Sequence, residues 1–204
     1  MPTGVALRDA REQLFDAAER VLFRAGPNGL TSRAVTTEAG FAKGVLHRYF
    51  DDFDEFLVEL VQDRTARIGD QSAALHGSAG TGTVAGNLVG VVTELFSSVA
   101  VAIVGLVIFR DELRARLRRT YPTGVPLLIE AIAMLAAYLT AERELGRVAP
   151  DADIDTLAHT LIGAGHLLFA DRTGTSPDAE AVHRMVTAVI GGVVREPQPG
   201  TGRH

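Results

Sequence analysis

The chain of 204 residues contains no cysteine. That excludes a disulfide framework, a thiolate zinc site and a cysteine nucleophile. Lysine is almost missing as well, with Lys43 the single example. Long uninterrupted apolar runs are also lacking. The most apolar stretch, Val84–Phe109, is interrupted by Glu94, and its uncharged part, Leu95–Phe109, falls short of the roughly 20 apolar residues a membrane span needs. A buried helix pair and no membrane partner are therefore expected. No segment alternates apolar and polar residues with period two, so no strands are expected. The N-terminal residues lack an apolar core of signal-peptide length, and a cytoplasmic location is expected. No internal repeat stands out, no serine, histidine and acid group into a nucleophile–base set, and no cofactor is implied. The glycines of Gly77–Gly82 lack the Lys-Ser/Thr and the preceding strand of a phosphate loop.

What is present is apolar and mildly acidic. Hydrophobic residues make up 47% of the chain and the formal net charge is −5, with a mean hydropathy of +0.16. The length allows one large domain or two small ones with a sizeable core. Taken alone, the acidic balance argues against nucleic acid as a partner.

Helical periodicity runs through nearly the whole sequence. Leu7, Leu14, Ala18, Val21, Leu22 and Ala25 share one face of a first helix, which Gly26-Pro27-Asn28-Gly29 should stop. Thr31 can cap a second helix near Ser32–Ala39, Gly40 ends it, and a third short helix is expected near Lys43–Tyr49. Asp51 and Asp52 lead into a fourth helix carrying Phe53, Phe56, Leu57, Leu60, Val61, Arg64 and Ile68. The Gly/Ser/Ala-rich stretch 69–82 reads as a connection. Further helices are expected near 83–98, 101–118, 124–145, 153–170 and 178–194, the last with Ser176 as N-cap. A frayed tail, 196–204, is expected to follow.

Charge is distributed unevenly. Between Arg20 and Phe50 stand five cations, Arg20, Arg24, Arg33, Lys43 and Arg48, against one acid, Glu38. A short helix that offers free N–H groups and cations at a tight turn suits phosphates and the DNA major groove. A solvated surface hairpin would show the same charge and spacing.

The residues themselves go further. Gly29-x-Thr31, followed by Ala39-Gly40-Phe41-Ala42-Lys43-Gly44-Val45-Leu46-His47-Arg48-Tyr49-Phe50, resembles the signature of the TetR family of bacterial transcriptional regulators, ungapped over roughly residues 8–60. The rest of the chain resembles that family only in being helical and apolar. The resemblance implies an all-α homodimer of about nine helices. A helix-turn-helix DNA-binding domain (1–52) would precede a ligand-binding and dimerisation domain (53–195). It also implies a repressor that binds double-stranded operator DNA and is released by a small-molecule effector, and no enzyme. Carried onto this sequence, it implies DNA contacts by Thr31, Arg33, Ala42, Lys43, Gly44, His47 and Arg48. Arg48 would suit a base edge, since its fork matches guanine O6/N7. Three positions depart from the pattern. Ala42 stands where serine is usual, His47 where tyrosine is usual, and Phe53 where many members carry a phosphate-binding lysine. Phe53 is flanked by Asp51, Asp52, Asp54 and Glu55, which are expected to repel DNA.

The C-terminal half offers surroundings more than chemistry. Val84–Phe109 and Val125–Leu139 are apolar all round, which predicts full burial. Either close packing or a cavity for an apolar effector fits this composition; the resemblance favours the cavity. Its candidate lining is Leu60, Arg64, Glu94, Phe96, Ser98, Phe109, Tyr121, Leu128, Ile132 and His166, with Arg64 and Glu94 either orienting a ligand or forming ion pairs. His159 and His166 lie seven apart on one face, but without carboxylates or thiolates nearby no metal site is expected. Two apolar stripes on the last helices suggest a dimer surface shared with the core. One comprises Leu157, Leu161, Ile162, Gly165, Leu168 and Phe169; the other Val182, Met185, Val186, Val189 and Ile190. The second basic run, Arg110 to Arg119, reads as a solvated helix end. A helical carrier or enzyme using the cavity without DNA, and a membrane-associated protein, are the alternatives.

Overall fold

A computed structural model describes residues 4–97, 99–170 and 177–195, with only the backbone described for 4–9. The fold is all-α. Nine α-helices follow one another among the described residues: α1 (Gly4–Gly29), α2 (Ser32–Glu38), α3 (Phe53–Gly77), α4 (Val84–Ser97), α5 (Ala100–Phe109), α6 (Asp111–Leu117), α7 (Pro126–Glu144), α8 (Ile154–Phe169) and α9 (Ala179–Ile190). The only extended pairing described is an isolated bridge between Val148 and Val194. No single described helix is long and apolar enough to cross a membrane.

Several expected boundaries shift, each for a local reason. Gly26 does break α1, with φ 68° and ψ −176°, but helical geometry resumes through Pro27 to Gly29. Proline is tolerated there because a helix's first turn needs no N–H from it. The stretch 69–77, expected as a connection, continues α3. Alanine and glutamine there favour helix enough to carry Gly69 and Ser72. The expected helix 101–118 divides at Arg110, whose ψ of 96° is extended. At the start of α9 the cap is Asp178, which accepts from the Ala181 N–H at 2.7 Å. The expected Ser176 cap and the tail 196–204 lie outside the described residues.

The chain forms two compact units. One comprises the residues up to Thr65 together with Val99–Leu127; the other comprises Ala66–Ser98 together with the residues from Leu128 on. In the first, α1 packs on α2 and α5. Phe15, Phe50 and Phe56 pack with ring centroids 5.0 to 5.9 Å apart, around fully buried Leu14, Leu22, Leu46 and Leu57. In the second, α4, α8 and α9 pack on one another. Gly165 makes that contact possible: a Cβ there would lie 2.5 Å from Phe96 Cε2.

Two expectations of full burial need correction. In α7, Ile129, Glu130, Ala133 and Ala137 are exposed, and in α4, Gly90 and Glu94 are. Small residues lift an average hydropathy without providing side chains to bury. In the second unit the charged Glu142 is fully buried. It pairs with Arg147 Nε at 3.2 Å. It also accepts from Tyr138, whose hydroxyl receives a hydrogen bond from Asn87 Nδ2 at 3.0 Å. Burial, then the hydrogen bond to Glu142, pushes the Tyr138 phenol well above its ordinary range.

Candidate nucleic-acid interface

The basic window of the sequence becomes a defined turn. Thr31 is the N-cap of α2, its Oγ1 accepting from the Ala34 N–H at 3.1 Å. The chain leaves α2 through Gly40, whose φ of 72° suits a residue without Cβ. The Phe41 N–H closes the corner on the Thr36 carbonyl at 2.9 Å.

The expected third helix, Lys43–Tyr49, is corrected here. It is a turn followed by a single 3₁₀ helix, Leu46–Arg48, held by i→i+3 bonds from Val45 N to Ala42 O (2.9 Å), Arg48 N to Val45 O (3.0 Å) and Tyr49 N to Leu46 O (3.1 Å). Ala42 has no side-chain oxygen to satisfy the first N–H groups, and Gly44 disfavours helix. The tighter 3₁₀ bonding uses those groups instead.

Burial sorts the segment into two sides. Val35, Leu46 and Phe50 face the core, whereas Thr31, Arg33, Ala42, Lys43, Gly44, His47 and Arg48 are all exposed. Five of those seven, Thr31, Arg33, Lys43, Gly44 and His47, line one open concavity of about 540 Å³ together with Ser32. Ala42 and Arg48 are not part of its wall. Ser32 escapes a sequence reading because nothing distinguishes it from an ordinary first-turn residue. Gly44 leaves the surface bare, since a Cβ there would meet nothing within 4 Å.

The five cations of the window do not act alike. Glu38 takes Arg20 Nε at 2.8 Å and Arg24 Nη2 at 2.9 Å; the hydrogen bonds from Arg20 and then Arg24 lower its carboxyl. Arg33, Lys43 and Arg48 have no acidic partner among the described residues, so their charge is offered outward. Arg11 was not singled out by its sequence position. It donates to the Tyr49 carbonyl at 3.0 Å, stacks 4.5 Å over the Phe50 ring and pairs with Glu59. It joins α1, the exit of the turn and α3.

The acids beyond the turn are largely engaged. Arg116 holds Asp52 and approaches Glu55 at 3.5 Å, and Arg110 holds Asp54 at 2.9 Å while lying 5.3 Å over Phe53. Arg110 and Arg116, from the basic run expected as a solvated helix end, therefore supply counter-charges to the start of α3.

The effector candidates are scattered over both units. Leu60 is fully buried and Arg64 is 6% exposed in the first. Arg64 binds Asp16 at 2.9 Å and also Glu19 and Asp63, so it is an ion-cluster residue with its donors committed. Phe109, expected as lining, is 84% exposed, since it ends α5 just where the backbone straightens. Tyr121 in the first unit, and Leu128 and Ile132 in the second, are half-buried. In the second unit Glu94 accepts from Gln71 at 2.8 Å at the edge of a 310 Å³ surface concavity. Phe96 lies 5.7 Å from Phe169 and 6.3 Å from His166, ring to ring; His166 Nδ1 is buried with no partner. Ser98 lies outside the described residues. No group of His, Cys, Asp or Glu able to hold a metal ion occurs among the described residues.

Of the expected dimer residues, Leu161, Ile162, Gly165, Val182, Val186 and Ile190 are buried within their own unit, while Leu157, Leu168, Phe169, Met185 and Val189 are half-buried. The exposed line on α8 is instead Thr156, Thr160, Gly163 and Leu167, with Leu167 77% exposed.

Fold and turn together define an all-α helix-turn-helix protein. Residues 14–60 match the family model described as bacterial regulatory proteins, tetR family. The HTH-type transcriptional regulator PksA of Bacillus subtilis (strain 168) is 36% identical over 74 residues, a stretch covering 34% of this chain and 36% of that relative. The chain thus spans about a third of the length of the curated relative it matches. Solved structures share the fold at greater length. NemR of E. coli in its reduced form superposes with a TM-score of 0.71 at 17% identity, covering 91% of this chain and 98% of that one. A transcriptional regulator FadR from Bacillus subtilis, in complex with stearoyl-CoA, does so at 0.66 and 17%, covering 89% and 98%. Residues 14–60 are thus similar to the DNA-binding segment of the TetR family of bacterial transcriptional regulators, and the likeness over the rest of the chain is one of fold.

Proposed function

We propose that this regulator is a cytoplasmic homodimeric repressor that binds double-stranded operator DNA and lets go when a small apolar effector binds. Residues 1–52 hold the DNA, and 53–195 sense the effector and dimerise; the chain works by binding and not by catalysis. The observation that carries this is the open concavity lined by exposed Thr31, Arg33, Lys43, Gly44 and His47 and half-buried Ser32. Its unpaired cations stand above a core-facing side of Val35, Leu46 and Phe50. Unpaired cations and free backbone donors fix phosphates, and a glycine brings the backbone close to the duplex.

The exposed line Thr156, Thr160, Gly163 and Leu167 has the 4-3-4 spacing of a helix-pairing seam and supports a dimer built on α8. Two copies would need their turns about 34 Å apart to enter successive major grooves. An apolar effector is supported by the Phe96 ring beside His166, whose buried Nδ1 has no hydrogen-bond partner among the described residues. Stearoyl-CoA in the FadR complex illustrates a ligand that a protein of this fold accommodates. An effector that prefers one dimer spacing lowers operator affinity by that preference.

Selection of duplexes from a random DNA pool by the full chain, repeated with candidate apolar effectors, tests the reading. Enrichment of a two-fold symmetric sequence that an effector abolishes is expected. If the dimer enriches no sequence at low salt, the chain is instead a helical carrier.

A further inference from the structure

In the unit formed by the residues up to Thr65 and Val99–Leu127, five described cations have no acidic partner. Three, Arg33, Lys43 and Arg48, belong to the helix-turn-helix. The other two, Arg118 and Arg119, follow α6 directly and are exposed. Their turn is fixed: Arg118 N bonds to Arg114 O and Arg119 N to Arg116 O, both at 3.1 Å, and Tyr121 N to Leu117 O at 2.8 Å. Its place is fixed too. Arg116 grips Asp52 at 2.7 Å, and Asp52 stands two residues beyond Phe50, where the helix-turn-helix ends. The end of α6 is thereby anchored beside the exit of the DNA-facing turn.

Most acids that could cancel these two arginines are engaged: Asp52 and Glu55 by Arg116, Asp54 by Arg110 and Asp111 by Arg114. Asp51 and Glu112 are exposed and have no ion-pair partner among the described residues. Glu112 lies six residues before Arg118, roughly 9 Å along a helix axis. The short Asp51 side chain keeps its charge near the backbone, whereas arginine stems carry theirs outward. Two adjacent guanidinium forks with the exposed Thr120 hydroxyl beside them match phosphate oxygens.

We propose that Arg118 and Arg119 form a second phosphate-binding patch, gripping duplex DNA that flanks the stretch held by the helix-turn-helix. The proposal rests on the DNA-binding reading given above. The patch contributes affinity and no sequence preference, because phosphates carry no sequence information.

The test measures binding of the full chain to a selected duplex with long flanks, and to the same duplex trimmed to its core, across a salt series. Each phosphate contact contributes about 0.9 to the slope of log K against log salt. The variant Arg118→Gln/Arg119→Gln should lose up to about 1.8 of slope per bound chain on the long duplex, with an unchanged melting temperature. Its sequence preference should stay the same, and trimming should bring the wild type down to the variant's slope. Arg118→Lys/Arg119→Lys should recover most of the loss. A wild-type slope in the glutamine variant on the long duplex overturns the patch. If the wild type binds no duplex at all, the DNA-binding reading fails, and the patch with it.

Discussion

Arg116 closes on Asp52 with both terminal nitrogens, Nη1 on Oδ1 at 2.9 Å and Nη2 on Oδ2 at 2.7 Å. The same Oδ1 also accepts the Glu55 N–H at 2.8 Å. One carboxylate therefore caps α3 and receives the arginine of α6. The acids after the turn, which by sequence oppose DNA, are in the structure half of a set of ion pairs.

That arrangement has a pH signature. The Arg116 hydrogen bond, aided by the Glu55 N–H, holds the Asp52 carboxyl down from 3.8 to about 2. The native state thus takes up this proton later than the unfolded chain. The stabilisation is complete above about pH 4 and disappears as the pH falls towards 2. Asp52→Asn keeps an oxygen for the cap but loses the ion pair. Denaturant midpoints measured between pH 2 and 7 should be lower than wild type at neutral pH and flatter between pH 4 and 2. A parallel curve for the variant would remove Asp52 from this role.

Arg64 is the most committed charge in the first unit. Burial pushes its guanidinium pKa down, but Glu19 and Asp63 outweigh that and leave it raised. Removing one partner of a buried pair costs about 3–5 kcal/mol. Asp16 and Asp63 are 46% and 39% exposed and can turn to water, so Arg64→Met should cost about 2–3 kcal/mol. Arg64→Lys should recover little, because a point charge cannot span three carboxylates. Chemical denaturation reads this directly. Wild-type stability together with a lost effector response would return Arg64 to the ligand-orienting role.

Lys43 and Arg48 should separate affinity from specificity. Lys43 lines the concavity beside Arg33, so Lys43→Ala should weaken all duplexes alike and flatten the salt slope by about 0.9 per chain. Arg48 stands off that wall, and Arg48→Ala should relax preference at one base position, worth about 1–3 kcal/mol of discrimination. Binding titrations against a selected duplex and single-base variants distinguish the two. Equal salt slopes for wild type and Lys43→Ala would take Lys43 off the phosphate.

The legible part of this molecule was the part built from local rules. Thr31 announces its cap and Gly40 its positive φ, and the alternation of Val35, Leu46 and Phe50 with Arg33, Lys43 and Arg48 separates core from surface. Partners distant in sequence were not legible. Nothing near Arg116 or Arg110 points to Asp52 or Asp54, more than fifty residues away, and nothing near Arg11 points to Tyr49. The third helix is not legible because its periodicity is helical while its cap is missing. In the C-terminal half, apolar residues on every side of a helix do not say which face closes on its own chain.

Gly165 and Leu167 show that division within two residues of α8. A Cβ at Gly165 would strike Phe96 at 2.5 Å, so Gly165→Ala overfills the unit. Overpacking costs about 1–3 kcal/mol, against about 1 kcal/mol gained in helix propensity; a net loss of up to about 2 kcal/mol is expected. Leu167 instead is 77% exposed, on the line with Thr160 and Gly163. Leu167→Asp should leave helicity unchanged but move the sedimenting species from dimer to monomer at micromolar concentration. Gly165→Ala should lower the melting temperature without weakening the dimer at temperatures where the chain stays folded. If Leu167→Asp sediments as wild type does, the exposed line of α8 is not the dimer seam, and another surface must bring the two DNA-facing turns together.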